Sequence, residues 1–361
     1  MRYLQTRSNR FLGVLFLFFL LIKGPFPAFA AENLWLLETW ERPFDYSSPS
    51  RTVQYAPLAS ASKKWRICAS YPHLKDSYWL SVNYGMVEEA RRLGVALRVV
   101  EAGGYPNLSR QISQIQECTA KNTDILVIGG VSFKGVTPTI KEIAKRIPVV
   151  AVVNDIADDG ITAKTGVSWI SMGRRIGEFL ARAHPKGSAP VKVAWFPGPK
   201  ASGWVPFVEE GFRSALADSS AEIVVTKYGD TGKEIQLILI EEALEERPDV
   251  DYLVGSAVTA GAAVSVLRAK GLSNRIKILA DYFTHAVYRG IKRGKILAAP
   301  TDFAIVQGRL GIEQAVRVLE GKLSLKHVGP AITLVDSNNV NEIGTGQSLA
   351  PATFSPTFII E

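Results

Sequence analysis

Short, continuously apolar segments alternate with segments of helical periodicity along most of the chain, and this alternation limits the fold more than any other feature. The segments 124–129 and 149–153 consist almost wholly of aliphatic residues, and the helical segment 137–146 lies between them. Strands without a polar face are typical of a parallel sheet that helices cover on both sides. The sequence therefore predicts an α/β protein.

The alternating pattern runs through the chain twice, which indicates two lobes. A first array begins at residue 65, and a second begins with the helical segment 171–183. Chains longer than about 250–300 residues usually divide into domains. We therefore predict two doubly wound parallel-sheet lobes joined by a hinge. The N-terminal lobe is assigned residues 65–167 plus 303–330, and the C-terminal lobe with the tail is assigned residues 168–302 plus 331–361.

Residues 1–30 have the composition of an export signal. The start is basic, with Arg2, Arg7 and Arg10, and an apolar run follows over residues 11–22. The sequence AFA at 28–30 offers the small residues of a cleavage site. A membrane anchor is the alternative, but the run is shorter than the roughly 20 residues that a spanning helix needs. We therefore expect export to the periplasm, cleavage after residue 30, and a mature chain that is not itself embedded in a membrane.

The charge of the chain does not indicate a nucleic-acid partner. The whole chain carries a formal net charge of +8, and four of these positive charges lie in the predicted export signal. The mature chain is therefore near +4 (8 − 4), and this small excess is not gathered in a long basic run.

The sequence lacks the motifs of catalysis and of cofactor or metal binding. It contains no phosphate-binding loop, no G-x-S-x-G elbow and no H-E-x-x-H helix. Its 4 histidines do not have the spacing of metal ligands. We therefore expect no cofactor and no metal, and a binding protein instead of an enzyme. A secreted enzyme on the same fold is the alternative.

The chain has 2 cysteines, Cys68 and Cys118, so it is not a disulfide-rich scaffold. In an oxidising compartment the two thiols can form a bridge. The alternative is two separate buried thiols, and the position of Cys68 in a predicted buried strand favours this alternative.

Residues 31–64 form an aromatic extension before the first predicted lobe. It holds Trp35, Trp40, Phe44, Tyr46 and Tyr55 among Pro and Ser residues. A free linker rarely carries so many aromatic residues. We expect this arm to lie in order on the protein surface or to contact a partner.

Aromatic and acidic residues follow the predicted strands of both lobes. Ligands of doubly wound proteins bind outside the carboxyl ends of the strands, so these segments supply the candidate site. Ring faces attract cations by roughly 0.5–2 kcal/mol per contact, so rings together with carboxylates suit a cationic or quaternary-ammonium group. The candidate ligand-binding residues are Tyr71, Asp76, Tyr78, Trp79, Asn154, Trp169, Trp204, Ser256, Asp281, Tyr282 and Asp302.

The same residue types also have purely structural roles. Aromatic side chains anchor loops, and acidic side chains cap helices. Asp76 directly precedes the helix predicted to begin near Ser77, which is the position of an N-cap.

Two long segments resemble the type I periplasmic binding proteins, the ribose-binding-like family. The segment WRICASYPHLKDSYWLSVNYGMVEEARRLGVALRVVEAGG resembles the opening strand, ligand loop, helix and second strand of that family. The segment DILVIGGVSFKGVTPTIKEIAKRIPVVAVVND resembles its third and fourth strand units. The resemblance covers about residues 65–335. It implies the two-lobed fold, and it implies that Asn154, in PVVAVVND, is a ligand contact on the hinge side.

Within this family, the chain most resembles receptors for trimethylamine N-oxide. The aromatic arm over residues 33–55, the loop SYPHLKDSYW and the segment PGPKASGWVPFVEEGF carry this narrower resemblance. It implies trimethylamine N-oxide or a similar small ligand. It also implies a partner, the periplasmic domain of a sensor histidine kinase that induces a trimethylamine N-oxide reductase system.

The segment 200–206 departs from the sugar-binding members of the family. Their corresponding loops supply Arg and Asn to sugar hydroxyls, whereas this segment contains Trp204 and no Arg. The departure argues against a sugar. A transport receptor for a sugar or another osmolyte is nevertheless the alternative.

Overall fold

The computed structural model describes residues 34–361, so the predicted export signal lies outside the described residues. The strands are β1 (Trp35–Trp40), β2 (Ser50–Tyr55), β3 (Arg66–Tyr71), β4 (Ala96–Glu101), β5 (Ile125–Ile128), β6 (Val149–Val152), β7 (Ala163–Thr165), β8 (Val191–Gly198), β9 (Ala221–Tyr228), β10 (Tyr252–Gly255), β11 (Lys277–Ala280), β12 (Ala298–Thr301), β13 (His327–Pro330), β14 (Thr333–Asp336) and β15 (Ile359–Ile360).

Helices connect most of these strands. They are α1 (Ser77–Leu93), α2 (Leu108–Thr119), α3 (Thr137–Ala144), α4 (Trp169–Ala183), α5 (Val205–Leu216), α6 (Lys233–Glu246), α7 (Ala257–Ala269), α8 (His285–Lys292), α9 (Ala304–Leu319) and α10 (Thr345–Ser348). Among residues 34–361, no helix combines the length and the hydropathy needed to cross a membrane.

The N-terminal lobe contains a nine-stranded sheet in the order β15-β4-β3-β5-β6-β7-β13-β1-β2. The run from β4 to β13 is parallel, and β1, β2 and β15 pair antiparallel at its two sides. All residues of β5 and β6 are buried, because helices cover both faces of the sheet. The predicted doubly wound arrangement is therefore confirmed for this lobe.

The C-terminal lobe contains a four-stranded parallel sheet in the order β11-β10-β8-β9, and a short antiparallel pair of β12 and β14. Helices α4 and α5 lie so close together that a side chain at Gly173 would clash with the carbonyl oxygen of Val208. The chain passes between the lobes near residues 166–168, 302–303 and 331–332.

The aromatic arm forms a β-hairpin at one side of the large sheet. Strand β1 pairs with both β2 and β13, and the Thr39 hydroxyl donates a 2.7 Å hydrogen bond to the carbonyl oxygen of His327. Leu37 of β1 and Tyr55 of β2 are buried.

The end of the chain corrects one assignment made from the sequence. Residues 331–361 are predicted to belong to the C-terminal lobe and its tail, and β14 does pair there with β12. However, β15 pairs with β4 in the N-terminal sheet, and the Thr357 N–H donates to Asn83 Oδ1 at 2.9 Å. The tail satisfies backbone groups that would otherwise stay unpaired along the outer strand β4. The assignment is therefore wrong for the last residues.

Cys68 and Cys118 form a disulfide, so the expectation of two separate thiols is wrong. Helix α2 packs on β3, which brings the two buried side chains together, with Cα atoms 6.2 Å apart. The sequence pattern shows that both residues are buried but does not show that they face each other.

Breaking this disulfide should lower the stability of the protein. A cross-link between residues 50 apart in sequence stabilises by about 4 kcal/mol, because it restricts the unfolded chain. Urea denaturation of the mature chain, followed by circular dichroism, should show a lower midpoint with dithiothreitol than without it. A Cys68→Ser, Cys118→Ser variant should unfold at the same lower midpoint under both conditions. Equal midpoints of the wild-type protein with and without dithiothreitol would contradict this prediction.

Candidate ligand-binding site

A small cavity lies between the lobes, at the carboxyl ends of the parallel strands. It has room for about one water molecule. The cavity is lined by Asp76, Tyr78, Trp79, Tyr105, Asn154, Trp169, Trp204, Thr231 and Tyr282.

Aromatic rings from both lobes meet around this cavity. Tyr78 of the N-terminal lobe contacts Tyr282 of the C-terminal lobe edge to face, with ring centroids 5.2 Å apart. Trp204 contacts Tyr282 at 5.8 Å and Trp169 at 5.5 Å. These rings are all buried, so closure of the lobes removes a continuous aromatic surface from water.

Local contacts fix the indole rings of Trp169, beside the hinge, and of Trp79, in the first turn of α1. The Trp169 N–H donates a 3.0 Å hydrogen bond to the carbonyl oxygen of Val153. Trp79 stacks on Tyr71, with centroids 5.5 Å apart, and a side chain at Gly129 would clash with its ring. Tyr71 therefore lies behind the cavity wall and supports Trp79 instead of lining the cavity.

Asp76 caps helix α1 and also lines the cavity. It is the N-cap of α1, where its Oδ1 accepts 3.0 Å hydrogen bonds from the N–H groups of Tyr78 and Trp79. Its side chain also lines the cavity, with 11% of its surface exposed. The cap holds the first turn of α1, and this turn presents the two rings.

Tyr105 is a lining residue that the sequence analysis missed. Its hydroxyl accepts a 3.1 Å hydrogen bond from Asn154 Nδ2, which also donates to the carbonyl oxygen of Gly130 at 2.9 Å. Burial raises the pKa of Tyr105, and the neighbouring Asn154, Trp79 and Trp204 side chains oppose this shift only in part. Tyr105 follows β4 and Thr231 follows β9. Both therefore lie in segments after strands, where ligands of doubly wound proteins bind.

Asp302 lies behind Tyr78 instead of in the cavity lining. Its Oδ2 accepts a 2.5 Å hydrogen bond from the Tyr78 hydroxyl and a 2.6 Å hydrogen bond from Gln307 Nε2. Burial raises the pKa of this carboxyl from 3.8 to about 6. Asp302 thus orients the ring of Tyr78 from the hinge side.

Asp281 and Ser256 also lie outside the cavity lining. Asp281 is fully buried, and neither of its carboxyl oxygens has a hydrogen-bond partner among residues 34–361. Burial raises the pKa of Asp281 well above its usual value, because the charged form is poorly solvated there. Ser256 is the N-cap of α7, where its hydroxyl oxygen accepts a 3.1 Å hydrogen bond from the Thr259 N–H.

Polar contacts close the cleft opposite the hinge. Lys75 of the N-terminal lobe forms a 2.6 Å ion pair with Asp230 of the C-terminal lobe. His73 Nε2 lies 3.0 Å from the Thr231 hydroxyl, and burial lowers the pKa of His73. Within residues 34–361, no cluster of three metal-ligating side chains occurs.

Residues 64–355 match the family described as periplasmic binding proteins and sugar binding domain of LacI family. The chain belongs to this family. Its structure also resembles solved periplasmic binding proteins that are under 25% identical, such as the myo-inositol binding protein of Caulobacter, with a TM-score of 0.72. The predicted family, the two-lobed fold and the periplasmic location are confirmed.

Several relatives have higher sequence identity to this periplasmic binding protein than the sugar-type structures above. The periplasmic protein TorT of Escherichia coli strain K12 is 37% identical over 348 residues, which cover 96% of this chain and 97% of TorT. TorT in a solved complex with the TorS sensor domain and TMAO gives a TM-score of 0.75 at 40% identity, covering 82% of this chain and 100% of that chain. An ABC transporter solute binding protein from Bradyrhizobium sp. BTAi1 with bound bis-tris gives a TM-score of 0.78 at 47% identity, covering 91% and 99%.

The raised pKa of Asp302 predicts a pH-dependent contribution to stability. The folded protein holds this proton more tightly than the unfolded chain, so the stabilisation is fully present well below pH 3.8 and is lost once the pH has risen well above about 6. The free energy of unfolding of the wild-type protein should therefore fall by about 3 kcal/mol relative to Asp302→Asn over that range. Urea denaturation at a series of pH values measures this difference.

The control for this experiment is Asp218→Asn, because the side chain of Asp218 is 93% exposed. This variant should track the wild-type protein across the pH series. A pH-independent difference between wild type and Asp302→Asn would contradict the prediction.

Proposed function

We propose that this protein is a periplasmic receptor that closes on trimethylamine N-oxide between its lobes and reports the closed state to a membrane sensor histidine kinase. One observation carries the proposal: aromatic rings contributed by both lobes surround one small cavity between them.

The chemistry of the lining fits this ligand. Trimethylamine N-oxide has three methyl groups on a formally positive nitrogen, and ring faces attract such groups. Its oxide is a strong hydrogen-bond acceptor. Tyr105 accepts from Asn154 and donates to no acceptor among residues 34–361, so its proton is available for the oxide. The proposed contacts are the rings of Tyr78, Trp79, Trp169, Trp204 and Tyr282 on the methyl groups, with Tyr105 on the oxide.

The ligands named for two relatives share one chemical feature. TMAO in the TorT complex and bis-tris in the Bradyrhizobium protein both carry a nitrogen bonded to three carbon atoms. The segment 200–206 contributes Trp204 to the cavity and no arginine. Both facts support an alkylated nitrogen as the group that the cavity selects.

The signalling part of the proposal rests on the solved TorT complexes. TorT has been solved with the TorS sensor domain in the absence and in the presence of ligand. Ligand binding would shift the population from open towards closed molecules, and this would change the surface presented to such a sensor. We therefore propose that the partner of this protein is also the periplasmic domain of a sensor histidine kinase.

Transport is the second candidate, and one observation favours it. The 47% identical Bradyrhizobium protein is described as an ABC transporter solute binding protein. A transport receptor for an alkylated amine would use the same cavity but would dock on a permease instead of a sensor.

The ligand is tested by titration calorimetry of the mature chain with trimethylamine N-oxide, choline, betaine and ribose. Trimethylamine N-oxide should bind most tightly, because aromatic rings form most of the cavity wall, and ribose should give no heat. Binding of ribose alone would contradict the proposed ligand and support a sugar receptor.

Trp204→Ala should weaken binding of trimethylamine N-oxide by about tenfold or more, because it removes a ring that contacts both Tyr282 and Trp169. The matched control is Trp65→Ala. Trp65 packs with Lys63 and Glu320 at the opposite end of the lobe. Calorimetry measures both affinities, and circular dichroism checks that both variants fold. An unchanged affinity in folded Trp204→Ala would show that the ligand binds elsewhere.

A further inference from the structure

One ion pair joins the two lobes on the side of the cleft opposite the hinge. Lys75 of the N-terminal lobe and Asp230 of the C-terminal lobe form it, with Nζ and Oδ2 2.6 Å apart. Among residues 34–361, it is the only direct ion pair between the lobes. We call this pair the latch. Separation of the lobes must break the latch, whereas it leaves the ion pairs within each lobe in place.

The carboxylate of the latch depends on its partner lysine. The side chain of Asp230 is 8% exposed, whereas that of Lys75 is 38% exposed. Asp230 Oδ1 is buried and has no hydrogen-bond partner among residues 34–361. Removal of one partner from a buried ion pair is costly, because it leaves a charge that is neither solvated nor paired. Loss of the lysine charge therefore disfavours the arrangement in which the lobes touch, and it does not affect separated lobes, in which water reaches Asp230.

Buried hydrogen bonds fix Asp230 in the C-terminal lobe. Gln236 Nε2 donates a 2.8 Å hydrogen bond to the carbonyl oxygen of Asp230, and Gln236 Oε1 accepts a 2.7 Å hydrogen bond from the Thr259 hydroxyl. The hydroxyl oxygens of Thr259 and Ser256 lie 2.7 Å apart. Ser256, which lies outside the cavity lining, thus belongs to the network that positions the latch.

The N-terminal lobe presents Lys75 beside a glycine that leaves room for the ion pair. The Gly104 N–H donates a 2.9 Å hydrogen bond to the carbonyl oxygen of Pro72, which joins the loop after β4 to the loop that carries Lys75. A side chain at Gly104 would lie 2.9 Å from Asp230 Oδ2 and 3.1 Å from Lys75 Nζ. Both sides of the latch are therefore built by contacts within their own lobes.

The latch is adjacent to the ligand cavity but is not part of its lining. Lys75 precedes Asp76 and Asp230 precedes Thr231, and the cavity is lined by Asp76 and Thr231. His73 Nε2 lies 3.0 Å from the Thr231 hydroxyl, so a polar contact accompanies the ion pair at this point. Lys75 and Asp230 can therefore hold the lobes around a ligand without touching it.

We propose that the latch sets how long a ligand stays in the cavity, because the ion pair of Lys75 and Asp230 slows dissociation and leaves association unchanged. A ligand held between the lobes is released when they separate, and the ion pair opposes that step. Association begins from separated lobes, in which the pair is not formed. The proposal rests on the proposed function, since the ligand assigned there is the one whose release is measured.

The test measures binding of trimethylamine N-oxide to the mature chain by stopped-flow fluorescence of the tryptophans that line the cavity. Lys75→Met should raise the dissociation rate by about tenfold or more and change the association rate by less than about twofold. The matched control is Lys233→Met. Lys233 is exposed and lines a surface pocket together with Lys75, but it forms no ion pair among residues 34–361. Its rates should be those of wild type.

A double-mutant cycle shows whether Lys75 acts through Asp230. Asp230→Asn should raise the dissociation rate in the otherwise wild-type protein. In the Lys75→Met background it should raise the rate no further, because the partner of Asp230 is already absent. Two effects that multiply independently would overturn the ion pair as the cause.

Circular dichroism checks that each variant folds. An unchanged dissociation rate in Lys75→Met would overturn the latch and leave the proposed ligand intact. A loss of affinity through the association rate alone would also overturn the latch, because Lys75 would then act on ligand entry. Failure of the wild-type protein to bind trimethylamine N-oxide would instead overturn the proposed ligand, and the latch with it, because no bound ligand would remain to be held.

Discussion

The carboxyl ends of the strands in both parallel sheets face one crevice, and this constraint determines which residues can reach a ligand. A side chain enters the cavity only from a segment that leaves a strand or begins the following helix. The cap formed by Asp76 then decides how the first turn of α1 is oriented. The aromatic contact between Tyr78 and Tyr282 joins the two halves of the site.

Two buried acids lie just outside the cavity lining. Asp281 and Asp302 are both fully or almost fully buried, and burial raises the pKa of each. Burial of a charged carboxylate is costly, so these acids take the neutral form as the pH falls. Such positions are common at functional sites, where stability is lower than a purely apolar core would provide.

Several residues of the cavity lining could be predicted from the sequence. Trp79, Trp204 and Tyr282 follow segments with the pattern of buried strands, and all three line the cavity. Tyr71 is the last residue of its own strand, so its side chain direction depends on the alternation of that strand, and it points behind the wall. Tyr105 lies beyond the end of β4, after the turn formed by Gly103 and Gly104, so the strand pattern alone does not place it at the cavity.

Contacts between distant segments could not be predicted from local pattern. The disulfide of Cys68 and Cys118 depends on how α2 lies across β3. The periodicity of the sequence indicates that each cysteine is buried, but it does not indicate which residue each one contacts. The return of β15 to the N-terminal sheet likewise depends on an unpaired outer strand elsewhere in the chain. In both cases the residue types are clear from the sequence, but the segment that each one contacts in the folded protein is not.

The hairpin arm has a consequence for the order in which the protein can fold. Strand β1 joins the large sheet through β13, and the Thr39 hydroxyl bonds to a carbonyl 288 residues later in the sequence. The first strand of the described chain therefore has no place in the sheet until almost all of the polypeptide has been synthesised. Contacts between such distant segments form slowly. Until β13 is available, the apolar side chains of the arm lack the sheet that buries them.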